Sequence, residues 1–255
     1  MSVAPGTSEG RPRNESGAHW GLLGTALWAG AILALQFAVQ AATVLLSVVL
    51  GRPKLSEDEF ARLIEAAISN GWVVSIAALV SMPLVCGAIV AAIKLKTGAT
   101  LTSNLGLEPF ALRSLAGWIA ALAVFIVASE LLGRALGRPA ANEFMARVFA
   151  TAQPVWLLWL ALIVVAPLVE ESLFRGFLLK GLASSAIGPA AAVVVTALVW
   201  AGIHLQYDLY DMAGIFVFGL MLGAARLQSG SLWVPLILHA LMNLVQTVGM
   251  TLEMQ

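Results

Sequence analysis

The sequence predicts an all-α membrane protein: a polytopic bundle of about seven transmembrane helices (six to eight) enclosing a polar catalytic cavity. Three observations carry this prediction. Of 255 residues, 60% are hydrophobic and only 11% charged, against roughly 25% charged in soluble domains, and the mean hydropathy is +0.92. Charge-free apolar stretches recur at close to the length, about 20 residues, that crosses a bilayer core about 30 Å thick. The period-2 alternation of a membrane barrel is absent. Each stretch must then be a helix, because an unpaired backbone amide in lipid costs several kcal/mol. The same composition excludes a disordered chain and an ordinary soluble enzyme. Lys plus Arg (14) balances Asp plus Glu (14), so no basic surplus is present to attract nucleic acid, which is not expected as a partner. The single cysteine, Cys86, excludes an intrachain disulfide and a cysteine-clustered metal site.

Residues 1–19 are rich in Gly, Pro, Ser and charge and are expected to be a disordered polar tail. They do not read as a signal peptide, because the apolar run that follows is too long and no small-residue cleavage site closes a short core. Residues 20–255 are expected to form a single transmembrane domain. Its spans are read at residues 20–50, 71–93, 114–132, 155–179, 187–203, 209–227 and 232–252. The fourth run is interrupted by charges, and only 212–225 of the sixth is free of charge. Residues 52–70 are polar and acidic, with Phe60, Leu63, Ile64 and Ala67 at helical spacing, and predict an interfacial helix. Gly219 and Gly223 have the spacing that lets a neighbouring helix approach closely. Trp20, Trp72, Trp118, Trp156 and Trp233 lie near run ends, as interfacial anchors do. With seven spans, eight Lys and Arg fall on the amino-terminal side and six on the other, which favours a cytoplasmic amino terminus.

The informative segment is Ala166-Pro167-Leu168-Val169-Glu170-Glu171-Ser172-Leu173-Phe174-Arg175-Gly176-Phe177. Apolar residues continue on both sides, so two carboxylates and a guanidinium lie inside a membrane helix. Each charge at mid-helix costs about 2.5–3.5 kcal/mol on insertion scales, and such residues are functional hypotheses by default. Helix neighbours four apart share a face, which pairs Glu171 with Arg175. Glu170 is rotated about 100° away and has no such partner. Pro167 frees the carbonyl of Ile163 and can kink the helix one turn before Glu170. One glutamate is thus expected in a structural ion pair and the other free in a low-dielectric pocket, where it can serve as a general base. Read as structure alone, the trio would be a buried salt-bridge cluster that fixes helix packing.

Two further runs carry a histidine each. His204 ends the fifth, with Trp200 four residues before it and Asp208 four after. His239 lies in the seventh, with Asn243 on the same face one turn later. Three helices that each put polar groups on one face are accommodated most economically by one shared cavity. There a carboxylate can take a proton from water, a histidine can orient that water, and a second histidine with an amide can stabilise an oxyanion. The reaction class is hydrolysis of a carbonyl compound, most plausibly a peptide bond. Glu170, His204 and His239 could instead hold zinc with an open position for water, the second carboxylate acting as base.

At these residues the chain resembles the family of CAAX proteases and bacteriocin-processing enzymes (CPBP, Abi-like), which includes the Ras-converting type of prenyl-protein endopeptidase. Its motifs are E-E-x-x-x-R, F-x-x-x-H and H-x-x-x-N or H-x-x-x-D. Here they are Glu170-Glu171-x-x-x-Arg175, Trp200-x-x-x-His204 and His239-x-x-x-Asn243, with Trp200 standing where Phe is usual and keeping an aromatic wall. The resemblance covers about residues 155–250, the expected catalytic core. It implies an intramembrane endopeptidase with six catalytic residues. Glu170 would activate the water, Glu171 and Arg175 would organise it, His204 would assist, and His239 with Asn243 would stabilise the oxyanion. Family members are often labelled metalloproteases, so the resemblance keeps zinc beside the glutamate mechanism. It also implies a multi-pass protein of a bacterial inner (plasma) membrane, in contact with lipid and acting on a protein or peptide. In eukaryotic members that substrate is prenylated at its C-terminus. Two other readings compete: a non-catalytic scaffold or bacteriocin-immunity protein that retains the motif, and a proton-coupled transporter using Glu170 and the histidines as a relay.

Overall fold

The computed structural model describes residues 20–50, 52, 54–139 and 142–253; the tail expected at residues 1–19 lies outside them. All regular structure among the described residues is helical. Helix α1 (Leu22–Val49) follows Trp20, whose indole N–H donates to the carbonyl of Ala92 (2.9 Å) and ties its start to the next span. Helix α2 (Glu57–Ile68) forms where the pattern predicted a helix. Ser56 and Glu59 form a reciprocal cap at its start, and Leu63, Ile64 and Ala67 share its more buried face. Helix α3 (Gly71–Lys94) starts at Asn70, whose side chain accepts from the amides of Trp72 and Val73. The short helix α4 (Leu101–Leu105) leads to α5 (Leu112–Ala135), and α6 (Glu143–Ala150) precedes α7 (Val155–Ala183). Helices α8 (Gly188–Gly202), α9 (Leu209–Ser229) and α10 (Trp233–Glu253) complete the described chain.

Six of these, α1, α3, α5, α7, α9 and α10, are long and apolar enough to cross a membrane, which makes this a multi-pass integral membrane protein. The fifth of the seven expected spans, residues 187–203, corresponds to α8, which is apolar but has only 15 residues. At 1.5 Å per residue it covers roughly 22 Å, short of a full hydrocarbon core. The sequence run exceeds the helix by one residue at each end, where Gly188, at φ +74°, starts the helix and a turn ends it before His204. The Lys and Arg tally assumed seven full crossings, so it no longer fixes the orientation.

Helix α7 has the largest buried share of the six, whereas α1 and α5 are mostly exposed, as lipid-facing helices would be. The core that surrounds α7 joins residues of α1, α3, α5, α8, α9 and α10. The close approach expected at Gly219 and Gly223 is made by α8. A Cβ at Gly223 would lie 2.9 Å from Cγ1 of Val193, and one at Gly219 would lie 3.1 Å from Cβ of Ala197. Gly176 likewise admits Leu105, whose Cδ2 would be 2.8 Å from an added Cβ.

Candidate active site

The site is built on α7, which is not a regular α-helix. Two wide π-type stretches, Ala161–Val165 and Ser172–Leu178, flank one α-helical turn and a half, Ala166–Glu171. In the first, the amide of Ala166 donates five residues back, to Ala161. The next bond in that register would run from residue 167 to the carbonyl of Leu162. Pro167 has no N–H to make it. The Asn243 side chain makes it instead, its Nδ2 donating to the Leu162 carbonyl at 2.7 Å. The proline therefore frees a carbonyl one residue earlier than a regular helix would, and α10 supplies the missing donor. Such wide turns concentrate at functional sites, and these two bracket Glu170 and Glu171.

Glu171 and Arg175 form the expected pair, Oε1 to Nη1 at 2.9 Å, with both side chains fully buried. The same Oε1 also accepts from Nδ1 of His239 at 2.9 Å. A carboxylate paired with a guanidinium can only accept, so Nδ1 carries the hydrogen and Nε2 is left for other partners. Arg175 donates further to the Gly219 carbonyl (3.4 Å) and lies over the Trp200 ring, 4.3 Å from its centroid. Glu171 Oε2 and Arg175 Nε are buried with no hydrogen bond among the described residues. This closed half of the site joins α7, α8, α9 and α10 through one ion pair.

Glu170 is half-buried and stands in a different environment. It was expected to be free; instead its Oε2 accepts from the indole N–H of Trp200 at 2.6 Å. The Trp200 carbonyl accepts from Nδ1 of His204, also at 2.6 Å, which fixes that tautomer and leaves Nε2 of His204 available. The Trp200 ring is 5.4 Å from the His204 ring and 5.3 Å from the His239 ring, edge to face in both cases. Glu170, His204 and His239, from three helices or their ends, thus meet around one indole.

Tyr207 was not singled out in the sequence. Its ring stacks on His204 with centroids 6.0 Å apart and planes 11° from parallel. Removal from water, with the charge of Glu170 adding to it, pushes its phenol up to about 12. It therefore remains a neutral phenol beside the site. The only signal in the sequence was an aromatic residue three positions after His204. Asp208, which could have oriented His204, serves otherwise. It caps α9 by accepting from the amides of Tyr210 and Asp211, and it pairs with Arg138. Asn243 makes its described bond to Leu162 rather than to the other polar residues of the site.

A zinc ion would need Glu170, His204 and His239 to converge on one point. Nε2 of each histidine is open, with Nδ1 held by Glu171 or the Trp200 carbonyl, and one Glu170 oxygen is held by an indole. Among the described residues no three His, Cys, Asp or Glu side chains come together as a set that could hold a metal ion. As placed, Glu170, His204 and His239 therefore do not form a zinc site.

Residues 151–245 match the family model described as type II CAAX prenyl endopeptidase, Rce1-like. This bears out the resemblance read from the motifs over the segment that holds α7 to α10. An Escherichia coli protein described as an "Uncharacterized 24.3 kDa protein" is 38% identical over 125 residues. That match covers 48% of this chain and 57% of the length of that protein. No solved structure matches the chain.

Proposed function

We propose that this chain, through its Rce1-like segment at residues 151–245, is an endopeptidase that hydrolyses a peptide bond at or within the bilayer. The observation that carries the proposal is the meeting of Glu170, His204 and His239 around Trp200. Adjacent to it, Glu171 is already neutralised by Arg175.

In this reading Glu170 is the base. Its Oε2 is occupied by the indole, and Oε1, with no hydrogen bond among the described residues, takes a proton from a water molecule. His204, fixed through Nδ1, accepts a hydrogen bond from that water at Nε2 and aims it. The water oxygen adds to the scissile carbonyl. The charge that develops on the carbonyl oxygen is met by the second Nδ2 hydrogen of Asn243, the first being used on Leu162, and by Nε2 of His239 when that ring is protonated. Glu171 and Arg175 hold His239 at the correct angle through Nδ1. As the C–N bond breaks, the proton held by Glu170 passes to the leaving amine. General-base help of this kind contributes about 10²–10⁴-fold and each oxyanion donor about 10²–10³-fold.

The family description supports a substrate that ends in a prenylated CAAX sequence; the six apolar helices, together with a relative from a bacterium, support a bacterial inner membrane as the location. Purified protein in lipid nanodiscs, offered a farnesylated CAAX peptide, its unprenylated counterpart and a mixed peptide library, should cleave at least one of them. Glu170→Gln should abolish that cleavage without changing insertion or melting, and His239→Ala should abolish it while the chain still inserts and folds. Proton-coupled flux without cleavage, or full function of Glu170→Gln, would overturn the proposal in favour of a transporter or a scaffold.

A further inference from the structure

We propose that Trp200 is the positioning residue of the site: its indole N–H anchors one oxygen of Glu170 and its backbone carbonyl anchors His204, so that one residue sets the base and the imidazole against each other. This rests on the hydrolytic reading above and assigns to the aromatic wall a hydrogen-bonding task.

The argument starts from what holds Glu170. Among the described residues the one hydrogen bond to its side chain comes from Trp200 Nε1, at 2.6 Å. A carboxylate on a helix can rotate about three side-chain torsions, and only one fixed rotamer presents a given oxygen to a given water. An indole has a single N–H, so it occupies one oxygen and leaves the other open.

The anchor itself is fixed on several sides. Trp200 is 2% exposed. Arg175 covers one part of its ring at 4.3 Å, held in turn by Glu171 and the Gly219 carbonyl. The His239 ring, edge to face, and the tilted Phe218 ring close in at 5.3 and 6.0 Å between ring centroids. Gly219 lets α9 come near enough for this. A Cβ there would be 3.1 Å from Cε3 of Trp200. A side chain packed this tightly keeps its donor in place without ordering it at the moment of reaction.

The second link is independent of the first. His204 uses the Trp200 backbone carbonyl, which any residue at this position would offer. Replacing the side chain therefore separates the two links: the histidine keeps its tautomer while the glutamate loses its donor. Benzothienylalanine at position 200, with sulfur in place of N–H, removes the donor and nearly keeps the ring volume. Trp200→Phe removes it with some loss of packing.

The test uses the full chain in nanodiscs with ¹⁵N-labelled indoles. The Trp200 Nε1–H resonance, identified by its loss in Trp200→Phe, should lie downfield in wild type and move upfield in Glu170→Gln. A resonance that ignores Glu170→Gln overturns the proposal, whether or not any peptide is cleaved. With whichever peptide wild type cleaves, the benzothienylalanine protein should show kcat lowered about 10- to 100-fold at a KM within about twofold, with unchanged melting. Unchanged kcat overturns the positioning role and leaves the hydrolytic reading standing. Failure of wild type to cleave any peptide overturns the hydrolytic reading, and the resonance then decides the anchor alone.

Discussion

Glu170 and Glu171 are neighbours in sequence and opposites in environment. Glu171 is fully buried and shared between Arg175 and His239, whereas Glu170 is half-buried and held by one indole. Removing one member of a buried pair strands the other charge, at a cost of about 3–5 kcal/mol. Arg175→Leu should therefore lower the melting temperature sharply, and Glu171→Gln in the same chain should recover part of the loss. The helical spacing of Glu171 and Arg175 made their pairing legible in the sequence. The partner of Glu170 was not legible. It comes from a residue 30 positions away, on a helix whose rotation relative to α7 depends on Gly219 and Gly223, and no local pattern encodes that rotation. The role of Asn243 on Leu162 was hidden for a similar reason. Pro167 signals a freed carbonyl, but which one depends on the wide register of the turn before it.

At the scale of single helices, α7 tests how register and side chain cooperate. Asn243→Ala should leave the Leu162 carbonyl without its donor and cost about 1–3 kcal/mol in thermal or denaturant unfolding. In a Pro167→Ala background the restored backbone N–H can satisfy that carbonyl, so the Asn243→Ala cost should shrink; equal costs in both backgrounds would separate Asn243 from the proline. Packing of α8 on α9 gives a second test. Gly219→Val would drive a side chain into Ala197 and Trp200. It should destabilise by about 1–3 kcal/mol and disturb the Trp200 resonance as well. The six long helices were legible because charge-free runs of the right length mark them. Helices α4 and α6 were not. They are short, and their starts depend on single caps, Thr100 and Asn142, which resemble ordinary loop residues until the chain is folded. The run at residues 187–203 matches α8 to within one residue at each end, and it is the shortness of that helix that sets it apart from the six.

Across the whole molecule, composition and the lengths of the charge-free runs predicted a membrane bundle, and three polar motifs spread from residue 170 to residue 243 predicted a shared site; of their residues, Glu170, His204 and His239 lie around Trp200. Outside the bilayer, the loop between α5 and α6 is fastened to the start of α9. Arg138 pairs with Asp208, and the Asn142 side chain donates to Asp211 at 2.7 Å. The amide of Asp211, together with Arg138, holds the Asp208 carboxyl below the usual carboxylate range. A carboxyl lowered on folding supports the folded arrangement at pH above its ordinary value and ceases to do so as pH falls through the lowered one. Amide protection at residues 136–138, corrected for the intrinsic pH dependence of exchange, should therefore be steady from neutrality down to about pH 5 and fall below the ordinary carboxylate range near pH 4. Asp208→Asn should show the lower protection already at neutrality. The central claim is that Glu170, gathered with His204 and His239 around one indole, activates water. Its most direct test compares kcat/KM of wild type and Glu170→Gln on the same peptide, in the same nanodiscs, with melting measured on both. The account predicts a loss of at least about 100-fold at unchanged stability; equal rates would contradict it.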